Sequence, residues 1–233
     1  MLSDYYDDIF PLKSSAVHLI NDYIQSPGPV IDVACGTGNE AIELARSGIC
    51  TIGIDLNESL IGSAKEKSSK LQGKSKFYSM NMLNLKDLHV SNASVIYCIG
   101  NSIVHMSSLN EIRIFLDQAW NALDDGGTLI IQTVNFDHML GEKKTSLGDI
   151  KRTDPKLTFE RYYTYKDERV EFTGVLHTDR GTSESSTLLL PLTAKEWTAL
   201  VNQSKFSSID MFGDFDLHPY APDSPAFVGI IKK

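Results

Sequence analysis

The chain has 233 residues, 42% of them hydrophobic, and a formal net charge of −8. That is enough apolar material for one large core, and the acidic balance repels phosphate backbones, which excludes nucleic acid as the main partner. The first ten residues hold acidic groups and no basic n-region, and no apolar run reaches membrane-spanning length, so a cytoplasmic protein without signal peptide or transmembrane helix is expected.

Apolar residues at Ala16, Val17, Leu19, Ile20, Tyr23 and Ile24 form a helical stripe over 13–26, closed by Pro27-Gly28-Pro29. The stripe ends an N-terminal cap segment, 1–29. Residues 30–34 read as a short buried strand interrupted by one carboxylate, followed by Gly36-Thr37-Gly38 and a helix with Ala41, Ile42, Leu44 and Ala45 facing inward. A second strand over 51–56, a charged amphipathic helix over 58–70 and a short third strand over 76–79 continue the alternation. Residues 94–99 make a fourth strand. Ser108 and Glu111 form a capping box opening a helix with Ile112, Phe115, Leu116, Ala119 and Leu123 on one face, and residues 124–127 end it. The β-branched run 128–134 is a fifth strand covered on both faces. Five strands with helical crossovers imply a parallel, doubly wound sheet.

After Asp137 the period changes to two, with Leu157, Phe159, Arg161, Tyr163 and Tyr165 in alternation and turn signals at Lys166-Asp167 and Asp179-Arg180-Gly181. This stretch, 138–190, reads as an inserted antiparallel meander, too small for its own core and placed as a lid over the carboxyl edge of the sheet. A second capping box, Thr193 with Glu196, starts a helix bearing Trp197, Leu200 and Val201, and 208–212 with 226–231 read as a closing strand pair. The main domain is thus expected over 30–137 and 191–233.

Chemistry concentrates at the first strand and turn. Glycines at 36 and 38 let the backbone turn sharply and approach a ligand with no Cβ in the way. Asp55, at the end of the second strand, is placed to accept hydrogen bonds from both hydroxyls of a ribose, so a nucleotide-like ligand fits. With Ala41 the same run also reads G-x-G-x-x-A, the fingerprint of NAD and FAD domains, which leaves an NAD(P)-dependent oxidoreductase as an alternative. Against it stands Asp32, whose carboxylate lies close to where a pyrophosphate would sit and suits a cationic ligand better. Three cysteines, Cys35, Cys50 and Cys98, without paired spacing, read as reduced core thiols, and the six histidines show no metal-ligand pattern.

Residues 30–41 resemble motif I of class I S-adenosylmethionine-dependent methyltransferases, Gly53-Ile54-Asp55-Leu56 resembles motif II, and Leu123-Asp124-Asp125-Gly126-Gly127-Thr128-Leu129 resembles the family's helix-to-strand signature. The resemblance spans 30–134. It implies a Rossmann-like, mostly parallel seven-stranded sheet of order 3-2-1-4-5-7-6 and S-adenosylmethionine as cofactor, leaving S-adenosylhomocysteine as product. It further implies that Asp32, Ala34, Gly36 and Gly38 border the amino-acid moiety, Asp55 holds the ribose and Leu56 packs on the adenine. Asn81 and Met82 stand where the family binds the adenine amino group, with an amide in place of the usual aspartate. Ala34 replaces a common glycine and is small enough to keep the strand's approach.

The segment Cys98-Ile99-Gly100-Asn101-Ser102-Ile103-Val104-His105, with Asn135-Phe136-Asp137, is similar to small-molecule N-methyltransferases of the glycine and sarcosine type. This implies a small-molecule acceptor, most simply an amine nitrogen, with Ile99 and Asn101 near the cofactor and His105 orienting the acceptor or receiving its proton. A hydroxyl acceptor would make that base essential. Tyr5-Tyr6-Asp7 resembles the tyrosine-rich entrance of such enzymes, which makes Tyr6 the second catalytic candidate. A non-catalytic S-adenosylmethionine-binding module is the remaining alternative. Arg161, Tyr163 and Arg169 could grip a carboxylate but read more simply as an outward polar face. Asp214, Asp216, His218 and Tyr220 could close the pocket, whereas Trp120 and Trp197 read as packing.

Overall fold

The computed structural model describes residues 2–71 and 73–233. A 3-10 turn, Leu2–Tyr5, leads into α1 (Tyr6–Ile9) and α2 (Ser14–Asp22), and the alternation follows: β1 (Val30–Val33), α3 (Asn39–Arg46), β2 (Thr51–Asp55), α4 (Glu58–Ser68), β3 (Ser75–Ser79), β4 (Ala93–Cys98), α5 (Leu109–Ala122) and β5 (Leu123–Val134). Next come α6 (Phe136–Glu142), the strands β6 (Ile150–Thr153), β7 (Lys156–Lys166), β8 (Arg169–Thr178) and β9 (Gly181–Leu189), then α7 (Ala194–Asn202), β10 (Ser208–Phe212) and β11 (Ala226–Lys232).

The main sheet runs β3-β2-β1-β4-β5-β11-β10. Its strands pair in parallel except β11, which is antiparallel to both β5 and β10. Counted along the chain, β10 and β11 are the sixth and seventh strands of this sheet, so the order is the expected 3-2-1-4-5-7-6. A second sheet, β6-β7-β8-β9, is antiparallel throughout.

Period-two alternation divides each central strand between two cores. Val30, Val95, Tyr97 and Ile130 pack with Val17, Leu19 and Ile20 of α2 and Leu44 of α3, whereas Ile31, Val33, Ile96, Cys98, Leu129 and Ile131 face Ile112, Phe115 and Leu116 of α5 and Trp197 of α7. Asp32 lies on the first of these faces. The helices are held at their ends as the sequence suggests: the Ser108 side chain accepts from Glu111 N–H, and Thr193 with Glu196 forms a complete capping box.

Three local readings differ. Residues 123–127 belong to β5, because Leu123 pairs with Ala93 and the register shifts before Val95 meets Thr128; the paired glycines bend a strand that has already begun. The meander has an additional strand, β6, whose short polar run Ile150-Lys151-Arg152-Thr153 carries little periodic signal. Cys50 is exposed, unlike buried Cys35 and Cys98, because it sits in the connection before β2. Among the described residues no helix is long and apolar enough to cross a membrane.

Candidate functional site

The turn between β1 and α3 lies at the carboxyl edge of the sheet, where open α/β sheets bind ligands. Ala34, Gly36 and Gly38 all adopt positive φ, 60°, 53° and 74°. For Ala34 the small side chain is therefore not the whole matter: a Cβ in the left-handed region costs about 1–2 kcal/mol, and the turn carries that strain at the point where backbone must stay open to a ligand. Gly38 is needed for packing as well, since a Cβ there would fall 2.5 Å from the Phe77 ring. The Asp55 carboxylate braces the turn, with one oxygen accepting from Gly36 N–H at 2.9 Å and the other from Asn57 N–H at 2.8 Å.

Two slots open beside this turn and share Ala34 and Ser102. The first is lined by Tyr6, Phe10, Lys13, Asp32, Glu40 and Ile99; the second by Asp55, Leu56, Met80, Met82 and His105. The second is apolar apart from Asp55, Ser102 and His105, and Leu56 stands 66% exposed in it. The first is charged. Asp32 is 3% exposed, and burial followed by the charge of Glu40 holds its carboxyl well above the usual range. Burial lowers the pKa of the Lys13 ammonium in the same slot, and the charge of Glu40 acts the other way. A flat heterocycle on a sugar suits the apolar slot with its rim carboxylate, and a zwitterionic amino acid suits the charged one. S-adenosylmethionine joins those two ends, so the residues present fit it.

Other predicted site residues have different tasks. Asn81 Oδ1 accepts from Leu83 N–H at 2.9 Å and caps the 3-10 turn Met82–Leu88, which leaves one lone pair for a ligand. Asn101, at φ 69°, directs its Oδ1 to Val134 N–H at 3.0 Å and so ties the end of β4 to β5; it lines neither slot. Tyr6 and His105 line different slots, with Ala34 and Ser102 common to both. Burial, with Asp55 and Asp32 adding to it, pushes the Tyr6 phenol up, and burial moves His105 down, so at neutral pH the phenol is a donor and the imidazole an uncharged acceptor.

The N-terminal segment closes the charged slot from above. Asp7 accepts from the Thr37 hydroxyl, from Asn39 Nδ2 at 2.9 Å and from Lys67 Nζ at 2.8 Å. On its other side Tyr5 and Ile9 pack with Leu157, Phe159 and Leu176 of the second sheet, and Arg152 Nε donates to Asp8 O at 2.7 Å. The segment thus bridges the turn and the second sheet.

The arginines of the second sheet are engaged by backbone: Arg161 donates to the carbonyls of Gly148 and Leu147, and Arg169 to those of Met106 and Ser107. Tyr163 is buried against Phe172. Asn135, Asp137 and Tyr220 form a bracket in which the one proton of the tyrosine hydroxyl is shared between Asn135 Oδ1 at 2.7 Å and Asp137 Oδ2 at 2.6 Å, while Asn135 Nδ2 donates to Pro222 O and Ser224 O. That bracket fixes the loop 213–225. Sequence reasoning missed Lys13, Glu40, Phe10, Met80 and Ser102. Lys13 had a signal, being the only Lys or Arg in the first 45 residues.

Residues 30–127 match a family model described as a methyltransferase domain. That stretch is thus similar to a methyltransferase domain, in keeping with the class I S-adenosylmethionine-dependent motifs it holds. The match favours the methyltransferase reading of the glycine turn over the dinucleotide one. The chain is 26% identical over 96% of its length to a glycine/sarcosine/dimethylglycine N-methyltransferase of Actinopolyspora halophila, of which it spans 40%. It is 24% identical over 99% of its length to a glycine/sarcosine N-methyltransferase of Halorhodospira halochloris, spanning 86% of that protein. Its fold matches the CcbJ methyltransferase of Streptomyces caelestis with a TM-score of 0.84 at 18% identity, covering 99% of this chain and 95% of the other.

Proposed function

We propose that the protein transfers the methyl group of S-adenosylmethionine to an amine nitrogen of a small molecule held between the turn at 34–38 and the lid. The observation that carries this is the junction of the two slots: the apolar and the charged one meet at Ala34 and Ser102, beneath the N-terminal segment that ties the turn to the lid. The N-methyltransferase names of both relatives support an amine as acceptor.

When bound, S-adenosylmethionine supplies a methyl group already made electrophilic by its sulfonium, so no strong acid is required of the protein. Asp55 and Leu56 would hold the adenosine end, and Lys13 and Asp32 the carboxylate and ammonium of the amino-acid end. The lid and the segment 2–13 exclude water and place the acceptor, which is where most of the acceleration of such a displacement arises. An amine must be neutral to attack, and desolvation beneath the second sheet would favour its neutral form. His105, uncharged at neutral pH, accepts the hydrogen bond or the proton of the reacting nitrogen, and Tyr6 donates from the opposite slot.

Calorimetric titration with S-adenosylhomocysteine, followed by methyl-transfer assays on a panel of primary and secondary amines with alcohols as controls, tests this reading. Turnover of amines is the expected result. Turnover of alcohols alone would replace the acceptor class, and tight cofactor binding with no turnover on either panel would favour a binding module.

A further inference from the structure

The parallel ladder between β4 and β5 ends at the pair Cys98 and Ile131, whereas β5 continues through Gln132 and Thr133 to Val134. Those further residues hold the turn that follows β4. Gln132 stands two residues past Ile130, so strand alternation puts its side chain on the face that packs against α2 and α3, and it is 8% exposed there. A buried amide is costly unless its atoms are paired. Here they are paired with backbone: Oε1 accepts from Gly100 N–H at 2.7 Å and Nε2 donates to Thr133 O at 3.0 Å. The Gln132 carbonyl accepts from Asn101 N–H at 3.2 Å, and Asn101 Oδ1 accepts from Val134 N–H at 3.0 Å. Gly100 and Asn101 both take positive φ, 75° and 69°, which glycine and asparagine tolerate best.

In a planar trans peptide the N–H and C=O point in opposite directions. The N–H groups of Gly100 and Asn101 are both directed at β5, so the carbonyls of Ile99 and Gly100 point away from it, to the side on which β1 lies, because β4 stands between β5 and β1. That is the side of the charged slot, which Ile99, Gly100 and Ser102 line together with Asp32 and Ala34. Ile99 O accepts from Ser102 Oγ at 3.1 Å, and Gly100 O accepts from none of the described residues. The turn therefore turns carbonyl oxygen to the slot, which suits a group that only donates, an ammonium, and opposes a carboxylate. A flip of the peptide between Ile99 and Gly100 would reverse that preference, and glycine offers little resistance to one. We propose that Gln132 is a positioning residue for cofactor binding: its side chain holds that peptide so that oxygen, and not N–H, faces the cofactor's ammonium. This rests on the cofactor site described above. Gln132 lines neither slot and acts only through the turn.

The test is calorimetric titration with S-adenosylhomocysteine and with 5′-methylthioadenosine, which shares the adenosine end and lacks the amino-acid end. Gln132→Met keeps the length of the side chain and removes its acceptor, whereas Gln132→Glu keeps an oxygen for Gly100 N–H. The methionine variant should bind S-adenosylhomocysteine about tenfold more weakly than the wild type, as loss of one hydrogen bond to a charge implies, with 5′-methylthioadenosine affinity unchanged. Gln132→Glu should recover the lost affinity. Asn101→Gly keeps the left-handed backbone and removes the tie to Val134, so it should move the ratio of the two affinities in the same direction, and it takes the place of Gln132→Met if that variant does not fold. An unchanged ratio overturns the proposal, as does a loss of both ligands alike, which would mark a merely structural role, or a Gln132→Glu variant without recovery. Failure of the cofactor site itself would look different, with neither ligand bound by the wild type.

Discussion

At the residue scale, Asp55 has two kinds of work to do, and the structure shows only one of them directly. Its oxygens satisfy the Gly36 and Asn57 amides, and in the proposed complex they also face a ribose. Asp55→Ala should therefore weaken S-adenosylhomocysteine binding by at least about tenfold and lower stability by about 1–3 kcal/mol, the cost of orphaned amides. Titration calorimetry and urea melts separate the two, and unchanged affinity would count against the placement of the adenosine end. His105 belongs to the same scale. Burial lowers its pKa, so its folded value lies below the unfolded one. The unfolded chain then binds more protons at mildly acidic pH, and this residue's contribution to stability is present above about pH 6.5 and declines as the pH falls below it. Proton NMR of its ring should show a midpoint under 6.5. His105→Ala should reduce kcat by about 10²-fold or more if it takes the amine proton, with cofactor affinity changed less; a normal kcat would remove it from the mechanism. As a string, the segment Gly100 to His105 suggested a role for His105 at the acceptor but not which slot the side chain enters, because that depends on how the loop folds.

The connections between elements carry constraints of their own. Gly28, in the link from α2 to β1, lies so close to the neighbouring connection that a Cβ would stand 1.6 Å from Asn92 O. That atom is backbone and cannot step aside, so Gly28→Ala should cost about 3 kcal/mol, read as a lowered urea midpoint. The string Pro27-Gly28-Pro29 signalled a helix end, and the tight approach to the strand partner is a tertiary fact. The N-terminal segment is a second case. Its tyrosines and acids suggested an entrance, but the contact of Asp7 with Thr37, Asn39 and Lys67 joins residues up to 60 apart. The hydrogen bonds from Lys67, Thr37 and Asn39 hold the Asp7 carboxyl below its usual value against the opposing effect of burial. Its contribution is therefore present above the unfolded pKa near 3.8 and fades as the pH falls through the lower folded value. The contact with Lys67 is half exposed, so Asp7→Ala should cost no more than about 1 kcal/mol globally. Limited proteolysis should nevertheless cut within residues 2–13 sooner than in the wild type, and equal rates would show that the lid side alone holds the segment.

For the molecule as a whole, the two sheets share material. Tyr163, Val170 and Leu189 of the lid belong to the same buried cluster as Phe115 of α5 and Trp197 of α7. Trp197 is fully buried and stacked on Phe227 at 6.0 Å. A single cooperative thermal transition is expected, and Trp197→Ala should lower stability of the whole by about 3–5 kcal/mol. Two separated transitions in calorimetry would show that the lid folds as an independent unit. The sequence by itself determined the alternation of strands and helices, the glycine turn and the carboxylate after β2, because these are local: periodicity, capping and backbone freedom act over a few residues. It also marked the change to period two that makes the lid. Only the tertiary structure decided that Lys13 and Glu40 enter the charged slot, that the side chain of Asn101 serves β5 instead, that Arg161 and Arg169 are occupied by carbonyls, and that Tyr97 stands beside Asp32. Those outcomes depend on which segments, distant in the chain, compete for the same donors and the same buried space, and that competition is settled only when the sheets and the N-terminal segment close around the site.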